Sequence, residues 1–424
     1  MKKKRLIIII SAVCIVLLIF GYSVLVKPPA VRPVSTSEFM DLVSEETNGY
    51  KQYLNQYGNN IISEEKTVSI FSEEVKIPAG EKKEFNFSVE FDGLYVLSCE
   101  QKGGDQSSYK DIEFSMQIDG EFPFEESRYL YFPKRWVVAK ARGNDFFGNQ
   151  LRPVLKEQDE WYESRARSRA GYVSEPIRFY LKSGTHTISL NPADYNLELR
   201  HLSFKSYKPP KAYSEPDLSG QSMNVKPITI QAENALYRSA PSILEQIDRT
   251  SAATTPVCSG SDVYNTMGGS TWSERGSSIT WEFNVEEPGY YQLHMRALQD
   301  YGGGISSYRR LYIDGEIPFE EAQIITVPYS MNWQRVVAMS DGKPAWFYLD
   351  KGRHTVTLEC TLGEIEDLME VTSNFLKDLN RVYRRIIMVI TTNPDPYRDY
   401  DLKERIPEVF EEMNRLSKVV DGIA

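Results

Sequence analysis

Ile118-Asp119-Gly120-Glu121-Phe122-Pro123-Phe124-Glu125-Glu126 returns almost letter for letter as Ile313-Asp314-Gly315-Glu316-Ile317-Pro318-Phe319-Glu320-Glu321. Self-similarity over such a distance marks an internal repeat. Other blocks recur in the same order. Phe85-x-Phe87-x-Val89-(x3)-Gly93-x-Tyr95 matches Trp281-x-Phe283-x-Val285-(x3)-Gly289-x-Tyr291, and Gly103-Gly104-x-x-Ser107-Ser108-Tyr109 matches Gly302-Gly303-x-x-Ser306-Ser307-Tyr308. Val137-Val138-Ala139 answers Val336-Val337-Ala338, and Phe179-Tyr180-Leu181-x-x-Gly184-x-His186-Thr187 answers Phe347-Tyr348-Leu349-x-x-Gly352-x-His354-Thr355. The chain therefore carries two copies of one unit.

Each copy has a β pattern. Phe85, Phe87, Val89 and Phe91 alternate with polar residues, as do Ile279, Trp281, Phe283 and Val285 in the second copy. A period of two buries one face and wets the other. Turn signals such as Asp92-Gly93, Asp119-Gly120, Pro288-Gly289, Asp314-Gly315 and Lys351-Gly352 separate the runs. This spacing predicts a mainly β protein: two tandem antiparallel sandwiches at 60–212 and 225–362, joined by a linker at 213–224. Each is large enough to bury a core and fold independently. The first copy carries an insertion near 140–171 containing Phe146, Phe147, Trp161 and Tyr162, read as a surface excursion covering a sheet edge rather than as a binding loop.

The two ends differ. The apolar run Leu6–Val26 follows Lys2-Lys3-Lys4-Arg5. About 20 apolar residues span a bilayer, and a basic flank stays cytoplasmic. Residues 1–36 are therefore expected to be a transmembrane signal anchor and linker, placing the rest on the extracellular face of the membrane. On run length this is preferred to a cleaved signal peptide, which would release the chain. A short helical linker is expected at 37–59. Beyond 363 the period becomes helical: Leu368, Met369, Leu376, Leu379, Val382, Tyr383 and Ile386 form one stripe. Asn393-Pro394-Asp395-Pro396 breaks it before a second helix.

Composition narrows the function. A net charge of −10 argues against nucleic acid. Cys99, Cys258 and Cys360 imply no disulfide framework, and four scattered His have no metal-ligand spacing. The pairs Glu125-Glu126 and Glu320-Glu321 invite a glycosidase reading. Adjacent strand residues point to opposite faces, however, so such a pair is poorly built for acid and nucleophile. No nucleophile elbow or phosphate loop is present, and no enzyme is expected.

Ile228-Thr229-Ile230-Gln231-Ala232-Glu233-Asn234, together with Gly352-Arg353-His354-Thr355-Val356, resembles carbohydrate-binding modules of the galactose-binding-like jelly-roll type. The resemblance implies a structural Ca²⁺ with Glu233 as a ligand. The first copy has no matching Ala-Glu. The order of two such units followed by Asn380-Arg381-Val382-Tyr383-Arg384-Arg385 and Pro394-Asp395-Pro396-Tyr397 resembles the N-terminal part of large extracellular solute-binding proteins of Gram-positive bacteria. It covers most of residues 60–424 and implies a role in sugar uptake alongside an ABC transporter permease. Those proteins continue into a solute-binding domain, so the role is implied only where a longer chain or a partner supplies one.

Sugar binding needs aromatic platforms for C–H faces and polar groups for hydroxyls. In the second copy Tyr264, Trp272 and Tyr301 lie in Gly/Ser-rich, loop-like sequence. Arg296 falls near a strand end, where it would favour acidic glycans. Trp281, Trp333 and Trp346 read as core. The expectation is non-catalytic binding of an oligo- or polysaccharide; the alternative is an envelope spacer without a sugar site.

Overall fold

The computed structural model describes residues 49–103, 109–170, 173, 176–218 and 226–423. The expected membrane helix at Leu6–Val26, and much of the expected linkers at 37–59 and 213–224, lie outside the described residues. Among the described residues no helix is long and apolar enough to cross a membrane.

The first copy contributes β1 (Thr67–Phe71), β2 (Val75–Ile77), β3 (Lys83–Val89), β4 (Gly93–Gln101), β5 (Glu113–Ile118), β6 (Leu130–Tyr131), β7 (Trp136–Lys140), β8 (Val154–Glu157), β9 (Tyr162–Arg165), β10 (Arg167–Ser168), β11 (Arg178–Leu181), β12 (Gly184–Pro192) and β13 (Leu197–Ser206), and all but β7 and β8 form two antiparallel sheets. One sheet runs β1-β13-β4-β11, with β2 and β9 alongside; the other runs β10-β6-β5-β12-β3. Their inner faces close one core, in which Phe87, Val89, Phe114, Met116 and Ile188 meet Tyr95, Leu97, Phe179, Leu199 and Phe204. Helix α1 (Tyr50–Tyr57) belongs to this sandwich. Tyr50 and Tyr53 are buried in the core, and their hydroxyls accept the Arg178 and Tyr180 amides at 2.8 and 2.6 Å.

The second copy comprises β14 (Tyr237–Arg238), β15 (Glu245–Gln246), β16 (Thr266–Met267), β17 (Ser278–Val285), β18 (Gly289–Tyr291), β19 (His294–Gln299), β20 (Ser307–Ile313), β21 (Ile325–Val327), β22 (Ser330–Val337), β23 (Met339–Ser340), β24 (Lys343–Pro344), β25 (Phe347–Leu349) and β26 (Gly352–Thr361). The period-two runs fall on β17 and β26, whose full ladder pairs Ser278 with Glu359 through to Val285 with Gly352. The opposing layer is made of shorter pairs, β18 with β25 and β19 with β22.

Strand register corrects the insertion. In the second copy β19 pairs with β22, with His294 opposite Val337 and Met295 opposite Val336. At the same repeat positions of the first copy, Ser98 faces Arg165 and Cys99 faces Ser164, both on β9. The Ala166 amide then donates to Leu97 O, as the Ala338 amide donates to the matching Leu293 O. Residues 162–166, not Val137-Val138-Ala139, are thus the counterpart of 334–338. The extra segment is nearer 133–161 than 140–171. It forms the β7–β8 hairpin, an arm that leaves its own sandwich. β7 pairs with β14 through Trp136 and Arg238, extending the second copy's sheet to β21-β20-β26-β17-β14-β7-β8. The reading as a surface excursion over a sheet edge fits this, but the edge belongs to the other copy.

A buried carboxylate also crosses the junction. Glu359 on β26 is 2 % exposed. It accepts Arg167 Nη2 of β10 at 2.5 Å and the Tyr312 hydroxyl at 3.2 Å, with Arg310 at 3.5 Å. Burial alone would raise its pKa, but the two guanidinium groups outweigh this and hold it below the ordinary range.

The C-terminal helices α2 (Glu366–Ile390), α3 (Leu402–Arg405) and α4 (Pro407–Ile423) follow. Val382 packs with Val409 and Leu416, and Asp378 holds Arg381 and Arg415 at 2.7 Å each.

The repeated Asp-Gly and Gly-x-His blocks close on each other in both copies. His186 Nδ1 meets Asp119 at 2.7 Å and its Nε2 meets the Lys182 carbonyl at 2.8 Å. His354 does the same with Asp314 and Asp350 O, at 2.7 and 2.8 Å. Two acceptors demand two ring protons. Burial pulls each imidazole down, but the Asp and carbonyl bonds prevail and raise both pKa values. The latch therefore contributes fully below the unfolded histidine value of about 6.5 and is lost as pH rises through the raised folded value. Thermal midpoints measured from about pH 6 upward should fall more steeply for the native chain than for His186→Gln/His354→Gln. Parallel profiles would contradict the latch.

Candidate functional site

The residues singled out from the sequence do not form one cluster. Tyr264 is 9 % exposed. The arm covers it: Gln150 Oε1 accepts the Tyr264 amide at 3.0 Å, and Arg152 lies 5.8 Å from its ring centroid. Beside it the Gln150 amide donates to Asp262 O, and the Asp262 amide donates to Asn149 Oδ1. Trp272 packs against the second core, with Trp281 edge-on at 6.4 Å and Arg309 over its face at 4.3 Å. Its Nε1–H donates to Ser277 O. Neither ring offers a free platform. Tyr301 is exposed, and its carbonyl accepts Gln299 Nε2 at 3.0 Å.

Glu233 is 3 % exposed, and its Oε2 has no hydrogen-bond partner. Burial lifts its pKa above the usual carboxylate range, and the nearby Glu245 adds to this; Arg142 and its own backbone amide pull the other way. Ca²⁺ takes six to eight oxygens. Here the Glu233 carbonyl and Asn234 Oδ1 already accept hydrogen bonds from Arg142. Glu245 is paired with Arg238 at 2.7 Å. Among the described residues no group of three or more His, Cys, Asp or Glu could hold a metal. The donor set around Glu233 does not fit calcium.

Arg296 sits on the outer face of the β19–β22 ribbon. It faces Arg335 directly across the strands. Arg296 donates to Ser251 Oγ at 2.6 Å, and its guanidinium lies 5.3 Å from the Trp333 ring centroid. Period-two alternation places His294 beside Arg296 and Trp333 beside Arg335 on this face. Met295, Ala297 and Val336 alternate inward onto the core. The neighbouring Asp248 is satisfied by Thr250 and Thr254, at 2.5 and 2.7 Å. Among the described residues neither arginine has a carboxylate within ion-pair distance. Like charges directly opposite on a sheet destabilise it. Trp333 is half-buried here rather than lost in the core. Sequence reasoning missed Arg335 because nothing in the linear pattern says which strand lies beside Arg296.

A second exposed aromatic feature lies at the arm's tip. Phe146 and Phe147 are 95 % and 81 % exposed, edge-to-face at 5.5 Å. Asp145 fixes the turn by accepting the Phe147 and Asn149 amides at 2.8 and 2.9 Å. The repeated Glu pairs lie in 3-10 turns. Glu126 accepts the Tyr50 amide at 2.9 Å, while Glu321 accepts the Tyr213 amide and Ser340 Oγ at 3.1 and 2.9 Å. These bonds tie neighbouring segments to each turn.

No family model and no curated protein matches the chain. Among solved structures it is similar to the cycloalternan-forming enzyme from Listeria monocytogenes in complex with a pentasaccharide substrate, at 12% identity and a TM-score of 0.22. That match covers 69% of this chain and 20% of the enzyme, so the chain spans about a fifth of its length. A Paenibacillus xanthan lyase matches at 11% identity over 72% of this chain and 25% of the lyase, with a TM-score of 0.19. The ANX2 ectodomain from Arabidopsis thaliana matches at 10% identity over 71% of this chain and 84% of the ectodomain, with a TM-score of 0.16. Likenesses at these scores carry no argument about fold or function.

The packing separates structural from ligand-facing residues by stability. Trp272→Ala should cost roughly 2–4 kcal/mol, because the ring fills space against the core. Arg335→Ala should be neutral within about 0.5 kcal/mol or stabilising, since it relieves a like-charge pair. Urea denaturation of both variants checks this; a neutral Trp272→Ala would contradict the packing role.

Proposed function

We propose that the chain is a non-catalytic carbohydrate-binding protein whose second sandwich takes an acidic oligosaccharide on the outer face of β19–β22. One observation carries the reading: Arg296 and Arg335 stand opposite each other, without a carboxylate partner among the described residues, beside the half-buried ring of Trp333. A uronate carboxylate matches a guanidinium fork bidentately. The indole face suits sugar C–H groups. Ser251 Oγ adds a polar contact beside Arg296. The resemblance of the second copy to galactose-binding-like carbohydrate-binding modules supports the sugar-binding class. The basic flank and apolar run at the N-terminus support export and anchoring on the extracellular face, and the resemblance to solute-binding proteins supports a place beside an ABC permease in sugar uptake.

The spacer reading draws on a separate observation. The arm fills the loop surface around Tyr264, one of the four residues that the sequence offered for sugar contact. A protein selected only to hold two sandwiches together needs that arm and no ligand.

Calorimetric titration of the full chain with an oligogalacturonate and with neutral oligosaccharides of equal length separates the two. The expected result is weak, salt-sensitive binding of the acidic ligand. Arg335→Ala should lose about 1.5–3 kcal/mol of that binding as a charge-assisted hydrogen bond disappears. Affinity independent of charge and salt would refute this site. Silence toward every acidic glycan tried would favour the spacer.

A further inference from the structure

We infer that Arg142, delivered by the first copy's arm, is the resident cation of the Glu233 niche and takes the place of a divalent ion there. The inference is independent of the sugar-binding reading. The niche lies where the second sandwich opens. Its oxygens are the Glu233 carboxylate and carbonyl, Asn234 Oδ1 and the Glu245 carboxylate, with Glu245 only 1 % exposed. Such a set invites a positive charge, because buried carboxylates are tolerated only when paired or coordinated. Arg142 follows β7 directly in sequence. Its Nη1 donates to Asn234 Oδ1 at 3.1 Å, its Nη2 donates to the Glu233 carbonyl, and Nη2 stands 3.8 Å from Glu245.

Charge completes the case. Arg238 pairs with Glu245 at 2.7 Å and donates to Ile243 O at 2.6 Å. The niche thus holds two guanidinium groups against two carboxylates. Adding Ca²⁺ would leave a buried excess of positive charge and displace Arg142 from both of its acceptors. The fit of the arginine is incomplete: Glu233 Oε2 and Arg142 Nε both lack partners. The planar fork spends its donors on the Glu233 carbonyl and Asn234 Oδ1 and leaves these two atoms unpaired. Removing the Arg142 side chain would free two neutral oxygens beside Glu233 and turn the local balance negative. The second sandwich would then depend on an external cation where it now depends on the first sandwich.

The test is thermal unfolding of the full chain in chelator and in about 5 mM CaCl₂, a level that saturates typical extracellular calcium sites, with direct Ca²⁺ titration of the native chain. The native midpoint should be the same in both buffers, and the titration should be silent. Arg142→Ala should melt roughly 5 °C lower in chelator and recover much of that loss in calcium but not in magnesium. Arg142→Lys should stay nearer the native midpoint without calcium dependence. Calcium binding by the native chain, or a native midpoint that drops in chelator, overturns the inference without needing any variant. So does an Arg142→Ala chain that melts like the native one in chelator, or one that calcium does not rescue.

Discussion

The second sandwich buries acidic groups whose counter-charges come from both copies. Glu359 is held by Arg310 of its own copy and by Arg167 of the other. Glu245 is held by Arg238 of its own copy, with Arg142 of the other at 3.8 Å, and Arg142 also donates to the carbonyl of Glu233. Breaking a buried pair outright costs about 3–5 kcal/mol; losing only the first copy's guanidinium leaves Arg310 on Glu359 and Arg238 on Glu245 and weakens the compensation. The two copies are therefore joined by an electrostatic requirement as well as by packing. The β7–β14 pairing, the Arg135 guanidinium 4.4 Å from the Tyr237 ring centroid and the Gln150–Asp262 bonds all hold the arm where that requirement is met.

Much of the fold was legible because its signals are local. Alternation at Phe85–Val89 and Ile279–Val285 marks strands whatever they pair with. The Asp-Gly and Gly-x-His blocks repeat because each builds one latch, with Asp119 and Asp314 at φ near 53° and 51° and bonded to the histidine that follows in each copy. The arm was illegible for the opposite reason. Val137-Val138-Ala139 has the same letters as Val336-Val337-Ala338, and a period-two pattern says nothing about the neighbouring strand. Only register shows Tyr162–Ala166 in that place. The same limit hid Arg335, whose meaning depends entirely on lying opposite Arg296.

This arrangement divides the second sandwich's surface. Its opening loops, from Glu233 to Tyr264, are taken by the arm and serve cohesion. Among the described residues no carboxylate pairs with Arg296 or Arg335 on the outer face of β19–β22. In the first copy the corresponding strands carry Glu100 opposite Glu163, and each has a cationic partner: Arg200 at 2.6 Å and Lys205 at 2.7 Å. The duplicated units have diverged at one position pair into a neutralised acidic face and an unneutralised basic one. That contrast sets the β19–β22 face of the second copy apart from its counterpart in the first.

Scanning calorimetry of the full chain tests the coupling most directly. If the first copy supplies counter-charges that the second cannot do without, both sandwiches melt in one transition whose calorimetric and van't Hoff enthalpies agree for that span. Replacing the arm, residues 134–160, with a short Gly/Ser linker should split the transition in two, with the second sandwich melting first. Two resolved β-sandwich transitions in the unaltered chain would contradict the account.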